Sequence, residues 1–113
     1  MQQEIPLIQK IYDFYRELYL VTEKMPKKDK HSLGIKIDKT TLDLMELAIE
    51  AGSTSGSDKA PLLTEASTKL DVLKLLIRLT YDVKATDQKK YLKLEEQLQE
   101  IGKMIGGWIK SLK

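Results

Sequence analysis

Apolar positions recur along most of the chain at spacings of three and four, the period of helices and not of strands. Leu7, Ile11, Phe14, Leu18, Val21 and Met25 alternate in this way, which places them on one face of a first helix. Pro6 suits its first turn, and Pro26 ends it, because the residue before a proline is pushed out of the α region. A second stripe, Ile8, Tyr12, Tyr15 and Tyr19, lies beside the first. The apolar arc is therefore wider than one packing partner needs, and the tyrosines are expected to face another subunit. Beyond a turn at Pro26–Lys30 the period resumes with Leu33, Ile37, Thr41, Leu44, Leu47, Ala48 and Ala51, while Asp38, Asp43, Glu46 and Glu50 take other faces. A third helix carries Leu63, Ala66, Leu70, Leu73 and Ile77. A fourth carries Tyr91, Leu94, Leu98, Ile101, Ile105, Trp108 and Leu112 in a heptad-like alternation.

These stripes predict helices over about 6–25, 31–51, 61–82 and 86–112 in one domain spanning 1–113. With short connections they form an all-α, antiparallel up-down-up-down four-helix bundle. At about 1.5 Å per residue the last helix would be roughly 40 Å long against roughly 30 Å for the first, so its end could project beyond the bundle. Gly102, Gly106 and Gly107 each cost about 1 kcal/mol relative to alanine in a helix interior, and close approach of another backbone is the expected compensation. From Leu70 to Val83 nine of fourteen residues are apolar, leaving Asp71, Lys74 and Arg78 on a narrow strip. Such a segment should be buried nearly all round, and since no helix of a four-helix monomer is central, the bundle is expected to be homo-oligomeric. Gly52–Ala60 is rich in glycine and serine and reads as a flexible connection. It is no phosphate-binding loop, because Gly56 is followed by Ser57 where a Walker A loop needs lysine.

Composition removes several kinds of chemistry. A chain of 113 residues has no room for a second catalytic domain, and 42% hydrophobic with 32% charged residues describes a folding, globular sequence. Without cysteine there are no disulfides, thiolate metal sites or cysteine nucleophiles, and a cytoplasmic location fits. The one histidine, His31, sits in a turn with no Glu-x-x-His pair elsewhere, so neither a metal nor a cofactor is expected. Serines and threonines gather in the connection and at helix caps, and Glu95, Glu96 and Glu100 read as a solvated face, so no catalytic residue is assigned. Met1–Lys10 does not read as a secretory signal, and no stretch approaches the roughly 18 apolar residues of a membrane span, so a soluble protein without membrane contact is expected.

Charge is informative through its placement. Nineteen Lys and Arg against seventeen Asp and Glu leave only +2, yet Lys24, Lys27, Lys28 and Lys30 face only Asp29 in one turn. From Lys84 to Lys113 seven lysines stand against four acids. Lys74 and Arg78, four apart, point the same way on the third helix, and Lys84, Lys89, Lys90 and Lys93 follow around the next turn. A strip of this kind binds phosphates by counterion release without reading sequence, although lysines that merely solvate a bundle surface would look the same. Arg78 stands out among Leu75, Leu76, Ile77 and Leu79, where a charge is costly unless it has a partner or faces a channel.

Three segments carry a family likeness: Met25-Pro-Lys-Lys-Asp-Lys-His-Ser-Leu-Gly34, Leu73-Lys-Leu-Leu-Ile-Arg78, and Glu100-Ile-Gly-Lys-Met-Ile-Gly-Gly-Trp-Ile-Lys110. They resemble the accessory variability determinant (Avd) proteins of diversity-generating retroelements, a likeness shared with four-helix-bundle proteins encoded in ribosomal RNA intervening sequences. The resemblance implies a non-enzymatic bundle assembled as a pentameric ring, whose basic surface binds a reverse transcriptase and template RNA, with DNA a second candidate, in support of mutagenic retrohoming. It implies nucleic-acid-binding roles for Lys74 and Arg78 and, as a weaker match from the following turn, Lys84; the charge strip adds Lys89 and Lys90 as candidates for the same role. The family often has arginine where this chain has Lys74, so the charge is kept while a bidentate fork is lost. The alternative, from the intervening-sequence branch, is a homo-oligomeric structural or protein-interaction module.

Overall fold

A computed structural model describes residues 4–113; Met1–Gln3 of the expected 1–113 unit lie outside the described residues. The helices are α1 (Glu4–Glu23), a short α2 (Lys27–Lys30), α3 (Leu33–Gly52), α4 (Lys59–Asp82) and α5 (Gln88–Ser111). Among the described residues there is no strand, and no helix is long and apolar enough to cross a membrane. The main contacts of α1 are with α3 and α5, and those of α4 are also with α3 and α5, so the four long helices enclose one core. The extents of 44 × 22 × 19 Å suit helices of 20 to 24 residues laid side by side, each about 30 to 36 Å long.

The stripes read from the sequence form this core. All six of the α1 stripe, from Leu7 to Met25, are buried, together with Ile37, Leu44, Ala48, Leu63, Leu70, Leu73, Ile77, Leu94, Leu98, Ile101 and Ile105. Phe14 and Trp108 are the largest side chains fully enclosed, and each such burial stabilises the fold by about 1.5–3 kcal/mol. Leu33 and Tyr91 are only half-buried and Leu112 is exposed, because they lie at helix ends. Thr40, Thr41 and Thr80 are buried as well, and their hydroxyls donate to the carbonyls of Lys36, Ile37 and Ile77 at 2.8, 2.8 and 2.6 Å. Each hydroxyl thus keeps a partner after losing water.

Differences from the sequence reading concentrate where chain direction changes. Pro26–Lys30 holds α2, a single turn with no buried residue, which an apolar period cannot reveal. α1 stops two residues short of Met25, yet Met25 stays buried because Lys24 and Met25 donate back to Val21 and Thr22. The glycine-rich connection contains a 3-10 turn, Gly56–Asp58, and so is more ordered than a plain linker. α5 begins at Gln88, where the Asp87 carboxylate accepts from the Lys90 amide at 2.8 Å as an N-cap. α4 ends in a Schellman stop: the Ala85 and Lys84 amides donate to Thr80 and Tyr81 at 2.7 and 3.0 Å. Lys84 holds its left-handed position, φ 65°, which glycine occupies more easily.

In the single chain the second half of α4 leaves Val72, Leu75 and Leu79 on an outer face, with Leu75 70% exposed, which is the surface the expected homo-oligomer would cover. Within the chain a Cβ at Gly102 would meet the Leu70 side chain at 3.3 Å, and Gly106 and Gly107 face open space. One expectation is corrected: the end of α5 does not project, because Trp108 is buried and Lys59 from the start of α4 sits over its ring, 5.5 Å from the centroid.

Candidate nucleic-acid interface

The end of α1, Pro26 and the turn from α4 into α5 surround a cleft of about 460 Å³. Val21, Pro26 and Ala85 form its apolar part, and Lys24, Lys84 and Lys90 line it from separate stretches of chain. The α4 stop places Lys84 along it by turning the chain sharply at Val83–Ala85, and the Asp87 cap fixes the start of α5, where Lys90 lies. Asp87 is the one carboxylate lining the cleft, and the Lys90 ammonium lies 3.7 Å from it. Among the described residues Lys24 and Lys84 make no ion pair. The local balance is therefore two positive charges in a concave, partly apolar setting, which suits an anion.

The five residues expected from the sequence are divided by the structure. Lys84 and Lys90 share the cleft, and Lys24, read from the sequence only as part of a basic turn, joins them. The signal for Lys24 is positional: the end of the first helix must lie beside the start of the last one if both contribute to one core. Lys74 lines a different groove of about 390 Å³ between α4 and α5, with Asp71, Lys103 and Gly102. Its ammonium sits 3.6 Å from where a Cβ at Gly102 would be, so the missing side chain makes room for it. Arg78 is not held among apolar side chains as its neighbours in sequence suggest. Its guanidinium is exposed and lies 3.8 Å from Asp82 one turn on, an ion pair of small energetic weight in water. Lys89 is exposed and lines neither hollow. Lys93 instead reaches Glu17 at 3.1 Å and ties α5 to α1.

A second surface spans α1 and α3. The Tyr15 hydroxyl donates to the Asp38 carboxylate at 2.5 Å, which pushes the phenol up to about 12, first through that bond and then through burial and the charge of Asp38. On the same two helices Tyr12, Tyr19, Ile35, Leu42 and Ile49 are exposed, Tyr19 by 62%. This is the tyrosine stripe of the sequence, extended onto α3 by residues that stand outside that helix's apolar period.

His31 is exposed at the end of α2, and among the described residues no group of three or more His, Asp or Glu is placed to hold a metal ion. Compared with known protein families, residues 6–112 match the family described as bAvd-like. The match covers every long helix except the first turn of α1, and with it the cleft, the α4–α5 groove and the tyrosine face. The chain belongs to the bAvd-like family and is a protein of the accessory variability determinant type.

Proposed function

We propose that this protein is a non-enzymatic accessory factor of a diversity-generating retroelement. It binds template RNA and the element's reverse transcriptase through the basic surface of a ring-shaped homo-oligomer, in the cytoplasm, in support of mutagenic retrohoming. The observation that carries the reading is the meeting of Lys24, Lys84 and Lys90 in one cleft in a chain of modest net charge, taken with membership of the bAvd-like family. Lys74 and Lys103 in the α4–α5 groove, with Arg78 and Lys89 exposed nearby in sequence, extend the surface a strand could follow. None of these contacts would read bases, which is what a factor acting on templates of varied sequence needs.

Two exposed apolar stripes support the ring. One spans α1 and α3 through Tyr12, Tyr19, Ile35, Leu42 and Ile49, and the other runs along α4 through Val72, Leu75 and Leu79. Non-equivalent patches suit head-to-tail contact, which closes into a ring where the rotation between neighbours permits; five subunits is the number that the family resemblance implies. Gly106 and Gly107, open in the single chain, are free for a neighbour's approach in such a ring.

The test is a salt titration of RNA binding by the wild type and by Lys74→Glu/Arg78→Glu, with assembly mass measured on both. A steep salt dependence that becomes shallower in the variant at unchanged mass is the expected result. Equal, weak binding by both, with a ring still formed, overturns the nucleic-acid reading in favour of a protein-interaction module built on the same stripes.

A further inference from the structure

We propose that the Lys24–Lys84–Lys90 cleft takes the terminal phosphate of a nucleic-acid strand in preference to the phosphodiesters along it. This rests on the nucleic-acid reading above and names the chemical group that this one hollow selects. Three lysines line it against a single carboxylate, Asp87, which is already engaged by the Lys90 amide and ammonium. The balance of two positive charges matches a phosphomonoester, which carries close to two negative charges at neutral pH because its second pKa is about 6. A diester carries one. The cleft is open to solvent, and its volume of about 460 Å³ accommodates a phosphate with its sugar.

The contrast with the α4–α5 groove sharpens the assignment. There Lys74 and Lys103 face Asp71, a balance of one positive charge, and the walls are Leu70 and the α5 glycines. That groove suits a single diester of a passing strand. The cleft differs from it in charge, and its two unpaired cations, Lys24 and Lys84, come from turns rather than from one helix face. Lys84 lines the cleft from a left-handed backbone position that glycine would fill with less strain.

The experiment compares one single-stranded RNA oligonucleotide in three forms, with a 5′-phosphate, with a 3′-phosphate and with hydroxyls at both ends, by fluorescence anisotropy on the full chain. At pH 7.5 a phosphorylated end is expected to tighten binding about tenfold. The advantage should shrink at pH 5, where the monoester loses its second charge, and disappear in Lys24→Gln and in Lys84→Gly. The glycine variant suits the left-handed position, so loss of folding does not obscure the result. Equal affinity of the wild type for all three forms overturns the proposal and leaves the nucleic-acid reading standing; no binding of any form overturns both. If inorganic phosphate at the oligonucleotide's own concentration displaces the phosphorylated strand, the cleft is a site for the free anion and the strand-end proposal falls.

Discussion

The two ends of the bundle use lysine in opposite ways. Where α3 stops and α4 starts, Lys59 is 9% exposed, donates to the Ala51 carbonyl at 2.9 Å and lies over the Trp108 ring. Its cation gives the Ala51 carbonyl a second, shorter donor beside the Thr54 amide at 3.3 Å and closes the bundle over its largest core side chain. Where α1 stops and α5 starts, Lys24 and Lys84 are exposed and engaged by no carboxylate among the described residues, although Glu23 and Asp82 are close in sequence. One end uses its cation for the fold, and the other holds cations that the fold does not need. Net charge and lysine counts treat the two alike, and only burial and partners separate them.

The comparison breaks most visibly at the closed end. Trp108→Ala removes the largest enclosed side chain and should destabilise the protein by about 3–5 kcal/mol in denaturant unfolding. Lys59→Ala leaves the Ala51 carbonyl with only the Thr54 amide at 3.3 Å and Trp108 without its cation, an expected loss of about 1–2 kcal/mol. If Lys59→Ala unfolds like the wild type, the distinction between the two ends fails.

Between the extremes lies the Tyr15–Asp38 bond joining α1 to α3. Tyr15→Phe should cost about 1 kcal/mol near neutral pH. Because the folded phenol is pushed up to about 12 from 10.0, it favours the protonated form more than the unfolded chain does. Its contribution is therefore complete below pH 10 and declines as pH rises toward 12, since the unfolded state ionises first. Unfolding curves at pH 9 and 11.5 should show a smaller alkaline loss for Tyr15→Phe than for the wild type.

At the open end the effects on stability should be smallest. Lys24→Ala is expected to stay within about 0.5 kcal/mol of the wild type. Lys84→Gly should be neutral or stabilising by up to about 1 kcal/mol, because it relieves a left-handed non-glycine residue. A large loss of stability in either variant would mean that these lysines serve the fold after all.

Much of the fold was legible because a three-and-four period encodes which side of a helix is buried. The Leu7-to-Met25 and Leu94-to-Trp108 stripes needed nothing more. The same period does not say which neighbour covers a face. Leu75 and Leu79, read as facing another subunit, are exposed in the single chain, while Lys59, placed by composition in a loose connection, is buried against Trp108. Charge placement located Lys84 and Lys90, but their meeting with Lys24 depends on two turns more than fifty residues apart in the chain, α2 having no apolar residue to mark it. Arg78 differs from its expected setting for a related reason: its apolar sequence neighbours lie on a surface stripe, so its guanidinium meets water.

The most direct test of a nucleic-acid surface at the open end measures unfolding and RNA affinity together on the double variant Lys24→Gln/Lys84→Gly. The expected result is unchanged or higher stability, weaker RNA binding, and a salt dependence of log affinity shallower by about 0.7 for each phosphate that is no longer neutralised. Wild-type affinity and salt slope in a folded variant would contradict the claim that this end of the bundle is the nucleic-acid surface.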